Sequence, residues 1–98
     1  MTTKQIVSIL DYLKKDDPPR CEDGGRYIEH VMRKCHLLTI EMKKVTGMGR
    51  TSNWRYMKEG VPVPREAMLS TFRYHLAHVR VGDPLWWIMQ SDSAMLHE

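Results

Sequence analysis

Apolar residues recur along most of the chain at the three- and four-residue intervals of an amphipathic helix. In the first segment the apolar residues that share one helical face are Ile6, Ile9, Leu10 and Leu13. Thr2 or Thr3 is placed to cap this helix, because a threonine hydroxyl can accept an unpaired backbone N–H of the first turn. We expect the helix to end by residues 16–19, since consecutive prolines lack amide hydrogens. A glycine-bearing loop over residues 21–25 is predicted to follow.

A second periodic segment spans the middle of the chain, with apolar residues at Ile28, Val31, Cys35, Leu38, Met42 and Val45. The spacing fits one long helix, or two helices in sequence with Thr39 as the second cap. Residues 51–58 predict a short helix that ends at Gly60.

Two further helices are predicted toward the C-terminus. Pro64 can open the first, which ends near Gly82. Its apolar side consists of Met68, Leu69, Phe72, Leu76 and Val79. A cap and first-turn pair at residues 83–84 begins a last helix over residues 84–92. The prediction is an all-α fold, with one multi-helix domain over residues 1–98.

Charge is distributed unevenly along the 98 residues, although the net charge is only +3. Residues 41–80 hold eight basic and three acidic side chains, whereas the rest of the chain holds seven basic and nine acidic. A basic middle is suited to a polyanionic partner such as nucleic acid. No apolar run is long enough to span a bilayer and no secretory signal is visible, so we expect no membrane association and a cytoplasmic location.

The residues that most often carry chemistry do not form a recognisable active site. Cys21 and Cys35 have neither a disulfide framework nor a zinc-knuckle spacing. His75 and His78 are one helical turn apart, and we expect them at the edge of a polar helix face. The sequence has no phosphate-binding glycine loop and no nucleophile elbow. It therefore predicts no enzyme activity, no metal and no cofactor.

Residues 39–60 read as a helix-turn-helix. Gly47 suits the turn, because the left-handed backbone needed there is cheap only for glycine. Met48 follows it and can fill the angle between the two helices. The second helix starts with small polar and basic residues, where base edges and phosphates would come within reach.

Residues 41–64 resemble the AlpA-type prophage regulators and related excisionase-like helix-turn-helix proteins. The turn matches at residues 45–48, the helix start at residues 49–52, and Trp54-Arg55 stands for the tyrosine-arginine pair of that family. The resemblance implies a sequence-specific, double-stranded DNA-binding transcriptional regulator encoded by a phage or mobile element. The chain departs from the pattern at Asn53, where the family has a buried isoleucine, and at Lys43, where it has a small or apolar side chain. A predicted helix also replaces the family's wing.

The geometry of such a motif assigns roles to eight residues: Lys43, Lys44, Arg50, Thr51, Ser52, Trp54, Arg55 and Lys58. Arg50 and Arg55 are the candidates for guanine contacts. Thr51 and Ser52 would meet base edges or phosphates, or alternatively only cap the helix. The three lysines would bind backbone phosphates, or alternatively only solubilise the surface.

The C-terminal apolar cluster Trp86, Trp87 and Met89 is a candidate partner interface, because two adjacent tryptophans on a helix cannot both face one core. The alternative is that both tryptophans wrap over the small core of the chain itself. As an interface, the cluster could support a homodimer that places two reading helices on successive grooves. Two alternative functions remain open. One is a small helical protein–protein interaction module, or an inhibitor of a host protein, that does not bind DNA. The other is an excisionase-like protein that bends DNA.

Overall fold

The computed structural model describes residues 1–80, 82, 83, 86 and 88 of the chain, and they form an all-α fold. The helices are α1 (Thr3–Lys14), α2 (Gly24–Lys34), α3 (Met42–Thr46), α4 (Arg50–Trp54) and α5 (Arg65–His78). A 3-10 turn (Thr39–Glu41) leads into α3, and a π turn (Arg55–Glu59) continues α4. The described part contains no β-strand, only an isolated antiparallel bridge between Cys21 and Val63. The predicted all-α fold class is confirmed.

Helix α1 forms as its sequence predicts. Thr2 is the cap: its hydroxyl accepts the backbone N–H of Gln5 at 3.2 Å, and the Gln5 side chain accepts the N–H of Thr2 at 2.8 Å. This reciprocal capping box satisfies amides that the first helical turn leaves unpaired. The helix ends at Lys14, ahead of the prolines, and all four apolar residues of its predicted face are buried.

The middle of the chain forms two helices, which settles the alternative that the periodicity left open. Helix α2 ends at Lys34, and the chain then turns at His36, whose φ is positive (53°). His36 N–H donates to Arg33 O at 3.2 Å, and Leu37 N–H donates to Met32 O at 2.9 Å. These bonds form a Schellman end, which redirects the chain and interrupts the helical phase. Leu38 is therefore 67% exposed instead of buried. Thr39 is not the cap, because the Glu41 carboxylate accepts the N–H of Leu38 at 2.9 Å.

The start of α2 corrects the predicted loop over residues 21–25. Gly24 and Gly25 are its first two residues, and both are buried. A Cβ added to Gly25 would lie 1.8 Å from the backbone oxygen of Tyr56 in the π turn. Only glycine allows so close an approach, so this residue lets α2 pack directly on the end of α4.

Helix α5 contacts α1, α2 and α3. Pro64 is its N-cap residue, and the helix ends at His78, four residues before the predicted end at Gly82. The fully buried side chains of the shared core include Leu10, Tyr27, Ile28, Met42, Met68 and Phe72. Leu69, Leu76 and Val79 are only partly buried at its edge.

The predicted helix over residues 84–92 lies mostly outside the described residues, as do Trp87 and Met89 of the candidate partner interface. Trp86 is half-buried, and its N–H donates to Asp83 O at 2.9 Å. Ile88 packs against the core. Within the described part, none of the helices has the length and apolar character needed to cross a membrane.

Candidate nucleic-acid interface

Helices α3 and α4 are joined by a short glycine turn. Gly47 has a φ of +73°, and its N–H donates to Lys43 O at 2.8 Å. The position is open, because an added Cβ would meet nothing within 4 Å. The left-handed backbone, and not crowding, is therefore the reason for glycine here. Gly49 returns the chain to extended backbone, and α4 begins at the next residue.

Two buried polar side chains hold this turn together, and we call them the Thr46–Asn53 pair. Asn53 is 1% exposed. Its Oδ1 lies 2.8 Å from the Thr46 hydroxyl, and its Nδ2 donates to Met48 O at 3.1 Å. The Thr46 hydroxyl also accepts the Met48 N–H at 3.1 Å. The departure from the apolar family pattern at Asn53 thus has the hydrogen-bond partners that a buried amide requires.

Neighbouring elements support α4 from behind. Tyr56 is buried and Met57 is half-buried. Met48 is partly buried against the core, consistent with filling the angle after the turn. The Ser70 hydroxyl of α5 donates to Val45 O of α3 at 2.7 Å. Helix α2 thus packs on the π turn that continues α4, and α3, itself packed on α5, contacts α4 directly.

The predicted site residues lie on the outer surface of this corner. Exposed residues among them are Lys43, Lys44, Arg50, Thr51, Trp54, Arg55 and Lys58, and Ser52 is half-buried. Lys44 pairs with Glu41 at 3.3 Å on the exposed surface. Among the residues that the structure describes, Arg50, Arg55 and Lys58 have no carboxylate within ion-pair distance. Their positive charge is therefore directed to solvent without internal neutralisation.

The two hydroxyl residues at the start of α4 are not its caps. Gly49 occupies the N-cap position, and no side chain accepts a hydrogen bond there. The interpretation of Thr51 and Ser52 as capping residues is therefore wrong. Lys43, the other departure from the family pattern, is exposed and does not enter the packing between the helices.

A cleft of about 290 Å³ opens on the same surface. Its lining residues are Thr39, Arg50, Thr51, Asn53, Trp54, Met57 and Lys58. Sequence reasoning did not place Thr39 or Met57 in the site. Thr39 was assigned to a helix cap, and only the 3-10 turn brings it opposite α4.

The histidines of α5 separate into two environments. The expectation for His75 was wrong: it is 3% exposed, its Nδ1 lies 3.0 Å from the Tyr27 hydroxyl, and its ring makes an edge contact with His30. Burial, with a smaller contribution from His30, lowers the pKa of His75 to about 4. Burial also lowers the pKa of His30. His78 is exposed and stacks on Tyr74, with 4.0 Å between ring centroids.

No group of three or more potential metal ligands forms among the described residues. Cys21 and Cys35 are free thiols, and burial raises the pKa of both. Comparison of the chain with protein-family models, with curated proteins and with solved structures yields no match.

Proposed function

We propose that the protein is a sequence-specific, double-stranded DNA-binding transcriptional regulator that reads the major groove with α4. The observation that supports this most strongly is the outer face of α4. Arg50 of α4 lies exposed there, with Arg55 and Lys58 of the π turn that continues it, and none of the three has a carboxylate partner among the described residues. The turn before α4 is held by the buried Thr46–Asn53 pair. A rigid helix with an unneutralised basic face is what major-groove docking requires.

The residue types on this face suit the two kinds of contact that DNA offers. Arg50 and Arg55 carry planar guanidinium groups, which match the O6 and N7 acceptors of guanine. Thr51 and Ser52 take no part in capping, so their hydroxyls can serve base edges or phosphates. Lys43 and Lys44 on α3, with Lys58, supply charge for the backbone and a salt-dependent affinity.

The test is a fluorescence-anisotropy titration with duplexes selected from a randomised pool at fixed salt. Arg55→Ala should weaken binding to the selected site by about 1–3 kcal/mol, or roughly 5- to 150-fold, with an unchanged circular dichroism spectrum. Lys43→Ala should weaken binding to selected and random duplexes equally, and should lower the slope of log affinity against log salt concentration by about 1. Arg20→Ala is the matched control: this arginine is exposed on the α1–α2 loop and should leave affinity unchanged. Equal affinity of Arg55→Ala and wild type would refute the role of α4.

A second candidate function is a helical interaction module that inhibits a host protein without binding DNA. Leu38 and Ile40 favour it, because both are about two-thirds exposed beside the basic corner. Salt separates the two proposals. DNA binding weakens log-linearly with salt concentration, whereas association through apolar side chains does not.

The wider context of the regulator is also a proposal. We propose a homodimer joined through the Trp86, Trp87 and Met89 region, a phage or mobile-element origin and a cytoplasmic location. Sedimentation equilibrium of wild type against Trp86→Ala tests the dimer. The regulator proposal requires no cofactor and no catalysis.

A further inference from the structure

Apolar and cationic side chains both line the cleft beside α4. Trp54 is 53% exposed and forms one wall together with Met57. Thr39 and Thr51 lie along the lining, and Arg50 and Lys58 provide its charge. Among the described residues, no carboxylate side chain lines the cleft. The exposed Trp54, which shares the cleft with Arg50 and Lys58, leaves apolar surface in contact with water that a ligand could cover.

The amide of Asn53, which lines the cleft, is not available to recognise a base. Asparagine commonly recognises adenine by offering both its oxygen and its nitrogen. In this chain Asn53 is 1% exposed, its Oδ1 is paired with Thr46, and its Nδ2 donates to Met48 O. Reading at this point of the surface therefore falls to the apolar walls, Trp54 and Met57.

The major groove presents one apolar feature, the C5-methyl group of thymine. We propose that the cleft between α4 and the 3-10 turn receives this methyl group, so that Trp54 and Met57 select thymine at one base pair of the binding site. This inference rests on the proposed DNA-binding function. The positive charges of Arg50 and Lys58, which also line the cleft, suit the phosphates that flank such a base.

Charge also argues against a second copy of the chain as the occupant. Two clefts meeting face to face would bring two copies of Arg50 and Lys58 together, and none of the lining residues that the structure describes carries a carboxylate to neutralise them. Like charges placed in contact disfavour such a dimer. The thymine edge, by contrast, comes with negative phosphates on both sides.

The experiment replaces thymine by uracil, which removes only the methyl group. Duplexes selected by the wild-type protein are remade with each deoxythymidine changed singly to deoxyuridine, and affinity is measured by anisotropy at fixed salt. Burial of one methyl group predicts a roughly fourfold loss of affinity at one position and little change elsewhere. Trp54→Ala should bind the thymine and uracil duplexes within about 1.5-fold of each other at that position.

Two further variants control for general effects. Trp54→Phe keeps an aromatic wall and should retain a clear preference for thymine. Leu38→Ala removes a comparably exposed apolar side chain outside the cleft and should retain the full fourfold ratio. The inference is overturned if every uracil duplex binds the wild type as tightly as its thymine parent, or if Trp54→Ala keeps the fourfold ratio. In both cases tight duplex binding leaves the proposed function standing. Absence of any duplex binding refutes the proposed function and this inference with it.

Discussion

The Thr46–Asn53 pair allows the strongest prediction about stability, because it is buried and its partners are defined. Asn53→Ala removes the hydrogen bond from Thr46 and the bond to Met48 O. In the variant the Thr46 hydroxyl can instead donate to Met42 O, 3.1 Å away, which partly replaces the lost hydrogen bond to Asn53. The Met48 carbonyl loses the side-chain donor that the asparagine supplied.

These changes set the magnitude. Each net hydrogen bond contributes about 1 kcal/mol, and a buried acceptor left without a partner costs about 1–3 kcal/mol. We therefore expect Asn53→Ala to lower the free energy of unfolding by about 2–3 kcal/mol. In a domain of this size that corresponds to a fall in Tm of roughly 8–24 °C.

The assay is urea unfolding followed by circular dichroism, arranged as a double-mutant cycle with Thr46→Val. The two substitutions should couple by about 0.5–3 kcal/mol, since each removes one half of the same interaction. Thr51→Ala, exposed on the same helix, is the control and should change stability by less than about 0.5 kcal/mol. A cost for Asn53→Ala as small as that of the control, or a coupling of zero, would refute the reasoning.

Three further predictions follow from the packing. The free energy of unfolding should fall by about 3 kcal/mol between pH 6.5 and pH 4, because His75 binds a proton in the unfolded chain that the folded form excludes. Urea unfolding of His75→Gln should show a smaller fall over the same pH range, and a fall equal to that of the wild type would contradict this. Gly25→Ala should cost at least about 1–3 kcal/mol through its clash with Tyr56 O, whereas Gly82→Ala, in open space, should be near neutral in the same assay. Gly47→Ala should lower the free energy of unfolding by about 1–2 kcal/mol through backbone strain alone. A loss as large as that caused by a cavity in the core would show that crowding also contributes.

The sequence predicted the elements whose signals are local. The cap at Thr2, the apolar face of α1 and the glycine turn at Gly47 each depend on residues within one or two helical turns. Periodicity and capping act over short distances, so one sequence is sufficient to recognise them.

The errors arose where contacts between distant residues decide the outcome. His75 was expected at the edge of a polar face, but the Tyr27 hydroxyl from α2 gives it a buried partner. Leu38 was expected in the core, but the left-handed residue His36 turns the chain before it. The presence of a histidine at position 75 does not indicate which helix packs against it. The spacing of Leu38 in the sequence does not indicate that either.

The sequence alone determined that the chain is helical, where α1 begins and ends, and that Gly47 turns the chain between two helices. Only the tertiary structure decided that Gly25 packs against Tyr56, that Thr46 satisfies Asn53, and that Thr39 meets α4 across a cleft. The physical reason is the separation of the interacting residues along the sequence. Hydrogen bonds and apolar contacts within a helix join residues in adjacent turns, so a short segment is enough to predict them. Contacts between helices depend on how the whole core closes, and no single segment specifies that closure.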